Sequence, residues 1–205
     1  MAATLTINGR ANLVQRILGV TATTPSYIAW GNDSGTSSYT NQALFGEVVQ
    51  DGRAMGVASA ITTSTNGDTL QVIGTITATK DETITNCGLY DVSTPASSFA
   101  LQTAVTASTQ NTINVISVYG SIPNSYPFNI QIASEVMTVT GATPGTNYIT
   151  WNVTRGINDS TALPSIPATT PITTVQGNLF GLADFTSLEL NQGDSVTLTF
   201  EVQIS

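Results

Sequence analysis

The chain has no histidine and a single cysteine among its 205 residues, and only 9% of them are charged. Without imidazole, the Ser/His and Cys/His nucleophile arrangements are excluded, as is the commonest zinc ligand. The lone Cys87 excludes an intrachain disulfide. It stands in an apolar run, TITNCGLY, where a buried and inert thiol is expected. The five basic residues, Arg10, Arg16, Arg53, Lys80 and Arg155, are scattered, against 13 acidic ones. A phosphate-binding surface needs clustered cations, so neither nucleic acid nor an anionic membrane surface is an expected partner at a net charge of −8. No apolar run is long enough to span a bilayer, and the opening MAATLTINGRANL lacks the basic start and apolar core of a secretion signal. P-loop and EF-hand patterns are missing too. No cofactor and no metal site is expected.

What the chain does have is hydroxyl. Thr and Ser make up about a quarter of it, and Thr suits pleated, half-exposed surfaces. With 40% apolar residues in regular alternation, the composition argues for a packed all-β protein rather than a disordered stalk. The clearest signal lies in residues 128–156. Phe128, Ile130 and Ile132 alternate with polar neighbours, Val136 to Thr140 continue the pattern, GATPG punctuates it, and a β-branched and aromatic run follows. This predicts a two-stranded hairpin with one buried face.

Along the rest of the chain, residues 12–18 (NLVQRIL) are the one predicted helix. Leu13 and Ile17, and Val14 and Leu18, share a face, with Asn12 as N-cap and Gly19 as stop. Residues 32–40 read as an exposed loop rich in Gly, Ser and Asn. Asn66-Gly67 predicts a hairpin turn of the primed type. Residues 195–204 alternate strictly and predict a central core strand. The expected fold is an all-β sandwich or barrel of antiparallel strands with one short N-terminal helix and an inserted small β-domain. The expected boundaries are sandwich over 1–104, insert over 105–175, and closing sandwich strands over 176–205.

Two resemblances sharpen this. PFNIQIASEVMTVTG followed by WNVTRGINDSTA resembles a small β-module common in structural proteins of tailed bacteriophages, whose usual form is "E-x-M-x-V-T", a turn, "T-V-T-R-G" and a "G-T-x-A" loop. Glu135, Met137, Val139, Thr140, Val153, Thr154, Arg155 and Gly156 match; Asn158-Asp159-Ser160 and Ala162-Leu163-Pro164 depart from the loop. The segments YIAWGNDSGT, ALFGEVVQDGR, TITNCGLYDV and FGLADFTSLELNQGDSVTLTFEV, in that order, are similar to a β-sandwich family of phage virion proteins. Asn86 stands where Glu is more usual. In that family an "F-x-L-Q-T" segment, here Phe99 to Thr103, and a "G-N-L-F" segment, here Gly177 to Phe180, follow each other closely; here the span from Ala104 to Gln176 exceeds an ordinary loop and reads as an insertion.

The resemblance implies a virion protein made in a host cytoplasm. Within that class it implies a capsid decoration (cement) protein whose partners are the major capsid protein or other virion proteins. The alternative is a tail, collar or fibre component that binds other tail proteins or host surface glycan. Unprotected sheet edges imply a homo-oligomer. Of the carboxylates, Glu47, Asp51, Asp81, Glu82, Glu135, Asp184 and Glu189 stand in no recognisable acid/nucleophile context, so no catalytic residue is expected; a polysaccharide hydrolase is the most distant class. Glu135 and Arg155 flank the hairpin, as a surface ion pair worth at most about 1 kcal/mol or as an intersubunit contact. Trp30 and Tyr39 lie beside the flexible loop. Tyr39, Trp30, Glu135 and Arg155 are the candidate partner-contact residues, while Trp151 and Tyr148 are expected in the core.

Overall fold

The computed structural model describes residues 4–20, 22–119, 122–123 and 125–203. The first unit begins with β1 (Thr4–Leu5), α1 (Ile7–Ile17), β2 (Tyr27–Gly31), β3 (Ala54–Met55), β4 (Val57–Ile61), β5 (Thr69–Thr77) and β6 (Glu82–Tyr90). A second unit follows with β7 (Ser98–Leu101), β8 (Thr112–Tyr119), β9 (Phe128–Ile132), β10 (Glu135–Pro144), β11 (Ile149–Thr154) and β12 (Pro171–Thr174). The chain then returns to the first unit with β13 (Leu179–Leu190) and β14 (Ser195–Gln203).

The first unit is a sandwich of a five-stranded sheet, ordered β1-β13-β6-β2-β3, and a three-stranded sheet, ordered β14-β5-β4. Ile28, Trp30, Cys87 and Leu89 from the larger sheet meet Val72, Ile76 and Phe200 from the smaller one. The larger sheet is buried on its other face as well, where Ala29, Tyr90, Leu179 and Leu182 pack against Leu44 and Phe45. Burial on both faces explains why β2 and the end of β6 read as continuous apolar runs. Cys87 sits inside this core, and burial pushes its thiol up to about 12.

The second unit is a closed barrel, β10-β11-β8-β7-β12-β9, inserted between β6 and β13. Trp151 fills it, with Phe99 edge-on at 4.9 Å and Phe128 at 5.5 Å between ring centroids. Tyr148, expected beside it in the core, is half-buried.

Several sequence expectations are corrected. Phe99 and Leu101, assigned to the sandwich before residue 104, belong to β7 of the barrel, paired with β8 and β12. Alternation tells that they point into a core, not into which one. The predicted hairpin of residues 128–156 is three strands, because β9 and β10 turn at Ala133-Ser134, with Ala133 at φ 51° and no Gly or Pro to mark it. The helix starts five residues early. Thr6 is the N-cap, its Oγ1 accepting from Gly9 N at 3.1 Å and donating to Leu179 O, and Asn12 lies buried mid-helix. Of the expected apolar helix face, Leu13 packs on the core, whereas Val14, Ile17 and Leu18 are exposed. Asn66-Gly67 is not a two-residue turn. The connection runs from 62 to 68, organised by the Asp68 carboxylate, which accepts from the backbone N–H groups of Thr63, Ser64 and Thr65. Finally, β14 is an edge strand, with only Phe200 of its inward residues fully buried. Ile204 lies outside the described residues.

Candidate functional site at the junction of sandwich and barrel

Residues 40–49 are buried without a break, yet they form no regular strand. A buried irregular backbone must find partners for its polar groups, and here side chains supply many of them. Asn86 Oδ1 accepts from Phe45 N (3.2 Å), and its Nδ2 donates to Phe45 O (3.0 Å) and Asp33 O (3.1 Å). Tyr90 Oη accepts from Leu44 N at 3.0 Å. Gln131 reaches across from β9 of the barrel, and its Oε1 accepts from both Gln42 N (2.8 Å) and Ala43 N (2.9 Å). The segment is therefore shared between the two units, with its sandwich side fixed by β6 and its barrel side by β9.

The same segment carries Glu47, which pairs with Arg53 through two parallel bonds, Nε–Oε1 at 2.7 Å and Nη2–Oε2 at 2.8 Å. Both side chains are buried. Arg53 also donates to Gln176 O at 2.9 Å, the residue where the chain leaves the barrel, and its guanidinium stacks 3.5 Å from the Tyr90 ring centroid. The Arg side chain suits this task because its planar fork binds a carboxylate, a carbonyl and an aromatic face at once.

A cleft of about 340 Å3 opens beside this junction. Its polar lining is Asn8 of α1, Gln42, Asn129 of β9, Asn158 and Asn178, with no charged side chain among the described lining residues. Asn158, which lines the cleft, and its neighbour Asp159 are both held in the left-handed region, at φ 53° and 62°. Primary amides donate and accept in equal measure but carry no nucleophile and transfer no proton at neutral pH. The cleft can hydrogen-bond a neutral ligand; it offers no acid or base.

The candidate contact residues divide. Trp30 is fully buried, its indole N–H donating to Asp51 Oδ2 at 2.7 Å, so it is not a surface contact; its β2 position beneath the loop, rather than in it, decides this. Glu135 and Arg155 do pair across the module, but not on the surface. Nε–Oε1 is 2.5 Å, Nη2–Oε2 is 2.6 Å, and both side chains are buried. Arg155 further donates to Ala107 O, Gln110 O and Leu163 O, and Glu135 accepts from Gly156 N and Leu163 N. The pair ties the β7–β8 and β11–β12 loops to the start of β10. Tyr39 is 45% exposed, with the Arg10 guanidinium 5.3 Å from its ring centroid.

One constellation escaped the sequence reading. Asp51 and Glu82, far apart in the chain, face each other beneath Trp30. Asp51 accepts from Trp30 Nε1 and from the N–H and hydroxyl of Thr79. Both oxygens of Glu82 are shut off from water and meet no donor. Burial and the adjoining Asp51 push the Glu82 carboxyl up to about 8. Burial works against the Asp51 charge, but the bonds from Glu82, Thr79 and Trp30 outweigh it and hold that carboxyl below its usual range. Glu82 is thus held toward its neutral acid form beside Asp51. The pair resembles a catalytic dyad in its divided pKa values, yet the Glu82 oxygens are shut off from solvent, so no glycosidic oxygen or attacking water can reach them. It works as a staple between the 3-10 turn at Val49–Asp51 and the start of β6.

Among the described residues, no group of three or more His, Cys, Asp or Glu side chains could hold a metal ion, and no helix is long and apolar enough to cross a membrane. No family model matches the chain, and searches of curated proteins and of solved structures return no match.

Proposed function

We propose that this chain is a structural protein of a tailed-phage virion, and within the virion a capsid decoration protein seated across neighbouring major capsid subunits. The observation that supports this best is where the resembling segments lie. YIAWG is β2, TITNCGLY falls in β6, and FGLADF opens β13; these three are adjacent strands of one sheet. ALFGEVVQDGR is the buried segment that covers that sheet, and its Glu47 and Arg53 bond each other. Four motifs scattered through the sequence thus build one side of the sandwich, and the phage-like module supplies β9, β10 and β11 of the closed barrel.

The chemistry of such a protein is adhesion. Weak contacts to several subunits add through multivalency. The exposed end of α1 is the surface this reading assigns to the shell. Ile17 and Leu18 are 84% and 71% exposed, and Val14 and Val20 stand beside them. Apolar side chains exposed side by side at one helix end suit burial against a partner. Purified protein added to heads lacking it should bind saturably at a fixed number of copies per capsomer, and Ile17→Asp with Leu18→Asp should weaken uptake while leaving the fold intact. Absence of saturable uptake would count against decoration.

The amide-lined cleft favours a second reading, a tail or fibre component that binds host glycan, because sugar hydroxyls match neutral donor–acceptor groups. Glycan binding lost on Asn158→Ala would support it. Trp151→Ala is not a usable test, since Trp151 is fully buried in the barrel.

A further inference from the structure

The sheet edges of this molecule are not equally protected. The barrel closes and has none. The five-stranded sheet ends in β1 and β3, each only two residues long. The β14 edge of the three-stranded sheet carries Glu201, bonded to Gln71, and hydroxyls bonded across to β5, Thr197 to Thr75 and Ser195 to Thr77. Short strands and edge charge are the usual protections against strand addition.

The remaining edge, β4, has no such protection. Its sequence, VASAI, contains no charge and no proline, and its pairing with β5 runs without a bulge. Val57 is 75% exposed and Ala58, Ser59 and Ala60 are exposed as well. Among the described residues, no hydrogen bond reaches the far side of its backbone. Met55, 74% exposed, and Ile73, 39% exposed, extend the apolar surface on either side.

We propose that β4 is a self-association edge, pairing antiparallel with β4 of a second copy about a two-fold axis at Ser59. The occupant follows from the strand's own symmetry. In this register Val57 stands opposite the copy's Ile61, Ala58 opposite Ala60, and Ser59 opposite itself. Apolar residues meet apolar ones, small meet small, and no like charges face each other. The contact is isologous and closes at two copies, joining two three-stranded sheets into one of six strands. The inference stands on edge geometry and does not depend on the virion reading.

The test uses the intact chain. Ser59→Cys should give a disulfide-linked dimer on mild oxidation, because directly opposed residues of an antiparallel pair have Cα atoms about 4.5–5.5 Å apart, within disulfide reach. Thr199→Cys, on the exposed face of β14, is the control and should not cross-link; the native Cys87 is buried and does not compete. Adding Val57→Lys to Ser59→Cys should slow cross-linking about tenfold or more, with an unchanged circular dichroism spectrum. Sedimentation should show a concentration-dependent dimer that Val57→Lys shifts to monomer. Ser59→Cys cross-linking no faster than Thr199→Cys, or a dimer that survives Val57→Lys, would overturn the proposal.

Discussion

The side-chain oxygen of Gln131 accepts from the backbone N–H of Ala43 at 2.9 Å and, at the same time, from that of Gln42 at 2.8 Å. One barrel side chain thus satisfies two buried donors of the sandwich. Gln131 Nε2 returns to its own barrel by donating to Ala133 O at 3.1 Å. Gln131→Met keeps the volume but orphans both N–H groups. At about 1–3 kcal/mol for each unsatisfied donor, the loss is expected to be about 2–4 kcal/mol. Urea unfolding checks it. A change below about 0.5 kcal/mol would mean that water or another side chain already serves these donors.

The Glu135–Arg155 pair gives a sharper contrast. Both charges are buried, and each has further hydrogen bonds. Removing one partner leaves the other charge stranded, so Glu135→Gln or Arg155→Met is expected to cost about 3–5 kcal/mol. The double variant Glu135→Leu with Arg155→Met is expected to recover part of that loss. A double-mutant cycle reads the coupling directly. Single variants costing under about 1 kcal/mol, as a solvated surface pair would, would refute the burial argument.

How far the sequence could be read follows from what alternation encodes. It reports which face of a strand turns inward, and so β2, β6, β13 and the stretch from β9 to β11 were legible, whereas β8 and β12 were not read as strands. It does not report where a strand sits in its sheet. β14 alternates without a fault and still lies at an edge, because its inward Val196, Leu198 and Val202 are covered on one side only. The β9–β10 turn was hidden because Ala133 takes a left-handed conformation without a residue type that announces it. Gln131 looked like the solvent-facing partner of Ile130 and Ile132, and no local signal says that another unit covers it. The Asp51–Glu82 pair had no signal at all, since sequence distance conceals a contact made by folding.

Gly9 illustrates tertiary structure overriding propensity. By helix propensity alone, Gly9→Ala would stabilise α1 by about 1 kcal/mol. In the fold, a Cβ at this position would meet Phe180 O at 2.1 Å and Leu5 Cδ1 at 2.7 Å. The backbone of β13 cannot yield cheaply, so Gly9→Ala is expected to destabilise by about 2–3 kcal/mol. Thermal unfolding decides between the two, because they differ in sign. A raised Tm would show that α1 does not pack this closely on β13.

The neutral Glu82 predicts how stability depends on pH. Its carboxyl is pushed from the ordinary 4.5 up to about 8 by burial and by Asp51. Below 4.5 the folded and unfolded chains both hold this proton, and the contribution of the pair is fully present. Between 4.5 and 8 the unfolded chain releases the proton while the folded chain keeps it, so stability falls as pH rises and then levels off. Asp51 has the opposite sign: its carboxyl is lowered, so its contribution is present above the ordinary carboxyl value and is lost as pH falls into the acid range. The two effects therefore act in different windows. Because Glu82 is only half-buried as a residue, the loss between pH 4.5 and 8 is discounted for solvent screening to about 2 kcal/mol. Glu82→Gln is neutral at every pH and carries no proton to lose. It should match the wild type near pH 5, exceed it at pH 8.5, and flatten the profile between. Parallel urea midpoints for the two proteins across that range would show that Glu82 is ionised in the folded state, and that Asp51 is held by Trp30 and Thr79 alone.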